Sequence, residues 1–293
     1  MEPALAATFI GLIATTQIHI SKGLQKYGID ALYPDSIAAH GPALHLRKKV
    51  FYFTGIALNN LAFLWALVAN MHAATSYYTS AFGFGLVVLM IFSEHVLHEK
   101  HSAMQHSGAA VIAFGTFLIG LGSSTADVPG MNMVRTEKLL LFVTLFYPVL
   151  FLAIGMSLKF KLKKAIAPLF GVLTGCSGAL DPILKGIGQS AGTEINLIPH
   201  TSAGWLFFIG SFVFGSMAFF FTQIGFYKKA RASTLVTFHN ISLIILPIVL
   251  LNISLPGFSL TRMQSAGLFM VVGGIILMFS ERTLAMFLKR PAS

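Results

Sequence analysis

The stretch AIAPLFGVLTGCSGALDPIL, Ala165–Leu184, decides the fold, together with the Lys185-Gly186-Ile187 that follows it. It holds one carboxylate, Asp181, and no basic residue. A helix needs roughly 20 mostly apolar residues to cross a bilayer. In lipid, a helix can satisfy every backbone polar group within its own segment. The run therefore predicts a membrane-crossing helix. Its end, Leu184-Lys185-Gly186-Ile187, resembles Ser21-Lys22-Gly23-Leu24, which ends an earlier apolar run 163 residues upstream. One unit has been used twice.

Working outward, the same criterion gives nine runs: Ala4–Ser21, Val50–Asn70, Ala74–Phe92, Ser107–Gly122, Leu139–Ser157, Ala165–Leu184, Ala203–Gly225, Thr234–Leu251 and Ser265–Phe279. The composition agrees. Of 293 residues, 55% are hydrophobic and 10% charged, against about a quarter charged in soluble domains. The net charge of +10 would suggest nucleic acid in a soluble protein. Here the basic residues sit in bursts between apolar runs, so no nucleic-acid partner is expected and the lipid bilayer is. With the N-terminus outside, the cytoplasmic side receives 16 Lys and Arg, Lys22 among them, and the outside receives Arg135, Lys138, Lys185 and Arg262. That is the asymmetry expected of a multi-pass cell-membrane protein, here with a cytoplasmic C-terminus. Met1-Glu2-Pro3 offers no basic n-region, so the first run is expected to remain as a helix. Asp30–Lys49 is too polar to span and predicts a cytoplasmic loop with a short surface helix. Gly186–Ser202 is its counterpart.

Further echoes extend the repeat. Gln105-His106-Ser107-Gly108 matches Gln264-Ser265-Ala266-Gly267 at an offset of 159, and the same offset carries Gly115 to Gly274 and Ala73-Ala74-Thr75 to Ala232-Ser233-Thr234. The expected organisation is an all-α membrane protein of nine helices. Residues 1–124 form the first four-helix repeat, 125–164 an external loop and connecting helix, and 165–293 the second repeat with a short tail. A single connecting span turns the second repeat upside down, and inverted repeats suit alternating access. The first and sixth helices should then face each other, with Lys22 and Lys185 towards opposite membrane faces.

On Glu99, Gly108 and Gly115, echoed by Gly267 and Gly274 with Phe258 where a second Glu would fall, the chain resembles the drug/metabolite transporter superfamily. On Ser21–Gly28 and Val172–Gly186 it looks most like the NIPA-type magnesium transporters. That branch's Thr-Pro steps read Thr79-Ser80 and Thr237-Phe238 here, and Ile56–Asn60 lacks its helix-two carboxylate. The resemblance implies nine helices and transport of a small solute or an ion.

Polar groups in lipid are costly and mark candidate sites. Asp181, beside Pro182, has two readings: a carboxylate at a broken helix that holds a cation or proton, or an ion-pair partner of Lys185 four residues on. Asn59, Asn60, His239, Asn240, Gln17 and Gln223 form a candidate cavity lining, or hydrogen-bond helix to helix. Lys22, Lys185 and Glu94 complete the candidate pathway. Glu94, His95, His98, Glu99, His101 and His106 read as a wet cytoplasmic turn or as a metal site. The single cysteine, Cys176, excludes an intrachain disulfide. No phosphate loop or Gly-x-Ser-x-Gly is present, so neither enzyme activity nor a cofactor is expected. The leading reading is a secondary transporter of a small solute. A magnesium or other divalent-cation permease is the runner-up. A non-transporting scaffold or assembly factor and a membrane metalloenzyme are the rivals of other classes. A homodimer is compatible with each.

Overall fold

The computed structural model of the protein describes residues 3–33, 35–72, 78, 81–124, 134–191, 197–254, 256 and 259–288. The longer helices among them are α1 (Pro3–Gly28), α2 (Pro42–His72), α3 (Phe82–His95), α4 (Ala103–Ser124), α5 (Thr136–Lys159), α6 (Lys163–Gln189), α7 (Ser202–Tyr227), α8 (Ala232–Ser254) and α9 (Arg262–Leu288). The described residues contain no strand. Each predicted apolar run overlaps one of these helices.

Among the described residues, six helices are long and apolar enough to cross a membrane: those over Pro42–Ala69, Ala103–Gly122, Thr136–Lys159, Lys164–Gln189, Ser202–Tyr227 and Ala232–Ser254. Phe82–His95 and Arg262–Met278 are apolar but shorter. On α1, the buried polar set Thr15, His19, Ser21, Lys22 and Gln25 lowers its apolarity. On α5, Leu141, Leu145, Val149, Leu152 and Met156 form an exposed stripe. An apolar face of that length is stable against lipid, whereas in water it would drive association. The protein is thus a membrane-embedded helical bundle.

The helices run past the predicted ends. α1 continues beyond Ser21 to Gly28, and α6 beyond Leu184 to Gln189. Both extensions are held by close helix contacts. A methyl on Gly55 of α2 would lie 2.7 Å from the Ser21 carbonyl oxygen, and one on Gly188 of α6 2.7 Å from that of Gly204. The segment predicted as a loop over Asp30–Lys49 is mostly helical. It contains a 3-10 turn, Ile29–Leu32, and a five-residue helix, Ser36–His40. Gly41 then turns the chain at φ 73, and Pro42 opens α2, so Arg47, Lys48 and Lys49 are helical. A positive φ suits glycine, and proline suits a first helical turn. Ala73-Ala74-Thr75, Thr79-Ser80 and Phe258 lie outside the described residues.

Two sets of three helices pack alike. α1 lies antiparallel to α2, with Gly28 against Tyr52 and Gly55 against Ser21. It runs parallel to α3, with Gly11 against the Tyr78 carbonyl and Gly23 against Phe92. In the same way, α6 lies antiparallel to α7, through Gly188 and Phe208, and parallel to α8, through Gly171 and Leu235 and then Gly175 and His239. α4 and α9 pair with each other, antiparallel and reciprocally. A methyl on Gly108 would lie 2.6 Å from the Gly274 carbonyl oxygen, and one on Gly274 would lie 2.7 Å from that of Gly108. Gly115 and Gly267 oppose each other's carbonyls in the same manner. Small residues allow this approach where no hydrophobic force draws helices together.

Candidate functional site

α1, α2 and α3 on one side and α6, α7 and α8 on the other enclose a cavity of about 430 Å³. From the first set come Lys22, Gln25, Asn59, Asn60, Phe63 and Phe82, and Tyr78 lies beside them. The second set supplies Asp181, Lys185, Phe212, Ser216, Phe219, Phe220 and His239. Its size falls in the range of small-molecule sites. Asn60, Phe63, Phe212 and Phe220 are exposed, so the wall is open between α2 and α7.

Asp181 and Lys185 sit one turn apart on α6, and the Lys185 ammonium donates to both Asp181 oxygens at 2.7 Å. It also lies 4.7 Å from the centre of the Phe212 ring. The Lys185 side chain is 3% exposed and that of Asp181 is 23%. Pro182 supplies no N–H, which leaves the Gly178 carbonyl at the cavity wall without its usual helical donor. Asp181 is thus paired with Lys185, as the second reading had it, and it also lines the cavity.

Lys22 lies inside α1 with 5% of its surface exposed, and it shares the cavity with Lys185. Both lysines are buried and line the same chamber. The cause is the extension of α1, which puts Ile18, Lys22 and Gln25 on one helix face. That periodicity also signals Gln25 as a lining residue, which the sequence reading missed because it ended the helix at Ser21. Among the described residues, no hydrogen-bond partner meets the Lys22 ammonium.

Asn59, Asn60 and His239 line the cavity. Gln17, Gln223 and Asn240 do not; they join helices. Gln17 donates to the Leu58 carbonyl at 2.8 Å and accepts from Trp65 at 3.0 Å, binding α1 to α2. Gln223 of α7 donates to the Gln25 side-chain oxygen, and Gln25 donates to the Gly55 carbonyl at 2.9 Å. Asn240 of α8 donates to His19 Nε2 at 2.6 Å, and His19 Nδ1 donates to the Thr15 carbonyl at 2.7 Å. His239 Nδ1 meets the Thr174 hydroxyl at 3.1 Å. These bonds engage the amide nitrogens, while the side-chain oxygens of Gln223 and Asn240 are buried without a hydrogen-bond partner among the described residues.

Glu94 lies away from the cavity at the end of α3, where its carboxylate meets His106 Nε2 at 3.4 Å. His95 turns to the Ile91 carbonyl at 2.9 Å, and His101 to the Ser93 hydroxyl at 3.2 Å. Among the described residues, no group of three His, Cys, Asp or Glu could hold a metal ion. Glu99 has a defined task. It accepts from the Ala232 and Ser233 amides at 3.0 and 3.3 Å, capping the start of α8, and from the Ser93 hydroxyl at 2.8 Å. Burial pushes the Glu99 carboxyl up, but hydrogen bonds from Ser233, Ser93 and the Ala232 amide outweigh it and hold it below the ordinary range. The chain matches no protein-family model, no curated protein and no solved structure.

Proposed function

We propose that the protein is a secondary transporter that carries a small solute across the cell membrane. In this reading nine spans run from an outside N-terminus to a cytoplasmic C-terminus. Residues 1–124 and 165–293 are inverted repeats joined by 125–164, as in the drug/metabolite transporter superfamily. The observation that carries the proposal is the shared cavity: helices one to three and six to eight, equivalent under the repeat, line it together. The reciprocal contact of α4 with α9 supports the inversion, because an antiparallel pairing of equivalent helices requires units of opposite direction. Alternating access then consists of one unit rocking against the other about the central site.

A scaffold has no use for a charged, open chamber between its halves. A divalent-cation permease is the weaker transport reading, because the carboxylate at the chamber is already engaged by Lys185. The test is exchange of labelled solutes by the protein in liposomes, screened with a defined mixture of organic acids, amines and sugars. The variant with Asp181→Asn and Lys185→Gln together should melt near the wild-type temperature and carry nothing. Wild-type exchange rates in that double variant would reduce the pair to a structural tie, and a wild-type protein that exchanges no solute would sink the proposal.

A further inference from the structure

We propose that the cargo is a small organic monoanion with an apolar body, its acid group held by the ammonium of Lys22; this rests on the transporter reading for the fate of the bound molecule. The inference starts from charge. The cavity lining contains two lysines and one carboxylate. That carboxylate, Asp181, gives both oxygens to Lys185 at 2.7 Å. Lys22 is left over. It is 5% exposed, and its ammonium has no hydrogen-bond partner among the described residues.

A buried lysine without a partner holds its charge only at a large electrostatic cost, which it escapes by giving up the proton or by gaining a counter-charge. Among the described residues no counter-charge meets the Lys22 ammonium. An incoming acid would supply it. One surplus positive charge matches one negative charge: a monoanion neutralises the chamber, a dianion overshoots, and an amine or metal cation adds to the excess. Lysine suits the task, because its ammonium is a compact charge on a flexible stem and offers three donors. Asn59 and Asn60 add amide donors at the same wall. The remainder of the lining selects the body. Phe63, Phe212, Phe219 and Phe220 present rings to the chamber, a surface that gains by covering hydrocarbon and loses by covering hydroxyls.

The experiment uses the full chain in detergent and two matched series that differ only in the head group: 3-phenylpropionate, 3-phenylpropanol and 3-phenylpropylammonium, then hexanoate, hexanol and hexylammonium. Melting temperature is read with each. The acids should raise it, and the alcohols and amines should not. Lys22→Met should raise the melting temperature of the empty protein, since it removes an unpaired buried charge, and should abolish the rise with acid. Lys22→Arg should keep part of that rise. Equal stabilisation by an amine or alcohol would overturn the proposal. So would an acid effect that survives Lys22→Met, or the absence of any acid effect. If Lys22→Met does not fold, head-group preference in the wild type still decides. Liposome exchange separates this claim from the one beneath it. Acid-selective binding without exchange refutes transport and keeps the anion site. Exchange of a neutral or cationic solute that persists in Lys22→Met refutes the anion site and keeps transport.

Discussion

Asp181 and Lys185 hold each other in a place where neither could stay alone. Removing one member of a buried ion pair typically costs about 3–5 kcal/mol, because the other is left charged in a poor solvent. Asp181 keeps some access to the cavity, so Lys185→Gln should cost near the lower end, about 3 kcal/mol. Asp181→Asn, which strands the more deeply buried lysine, should cost at least as much. The double variant should lose less than either single change, a coupling that a double-mutant cycle of melting curves measures directly; additive losses would mean that the pair is not formed. This pair was legible in the sequence, because two ionisable residues four apart in an apolar run leave few alternatives. Lys22 was not. A lysine at the end of an apolar run looks like an interface marker, and only the contacts of α1 beyond Ser21 show that the helix carries it inward. The amides were legible as unusual but not as to use, since the partners of Gln17, Gln223 and Asn240 lie on other helices.

The helices owe their placement to short-range devices of two kinds. The first is the small-residue contact. Gly115 of α4 faces the Gly267 carbonyl at 2.7 Å from where a methyl would stand. Gly115→Val should therefore push α4 from α9 and cost about 1–3 kcal/mol. Gly155, with nothing within 4 Å of its added methyl, offers the control. A melting temperature that falls equally for Gly155→Ala and Gly115→Val would sink the packing argument. The second device is the carboxylate cap. Glu99 gives charge to the start of α8, an arrangement worth about 1 kcal/mol. Its carboxyl is held below the ordinary value of 4.5. The sign follows from linkage: the contribution is whole above about 4.5 and is lost as pH falls through the lower folded value. Glu99→Gln should lower stability at neutral pH and remove that part of the acid loss. Identical pH profiles would remove the cap from the account. The helix types and approximate spans were readable from hydropathy; the ends were not, because contacts such as Gly28 with Tyr52 set them. Glu99 was visible as a motif residue, but its use depends on a helix 133 residues away in the chain.

Across the whole molecule, the seam between the two sets of helices carries both polar ties and packing. Gln223 to Gln25 and Asn240 to His19 cross it through side chains, while α4 and α9 close it through bare backbone. Any rocking of one set against the other has to break the first and can pivot on the second. The likeness of α4 to α9 was readable because glycines seven residues apart recur in both; that these glycines face one another was not, since spacing alone says nothing about which helix meets which. A chain broken within residues 125–133 and produced as two co-expressed pieces should rejoin through that seam and copurify in detergent. Pieces that never associate would mean that the covalent connection, and not the complementarity, keeps the sets together. The reciprocal fit of α4 with α9 also bears on ancestry. A ridge that already matches its own reversed copy needs no second invention: a single short gene whose product entered the membrane in both directions would have paired with itself at once. If the proposed inverted repeats hold, duplication and fusion would then have fixed what was present, leaving each copy free to diverge, one towards Lys22 and the other towards Asp181 and Lys185.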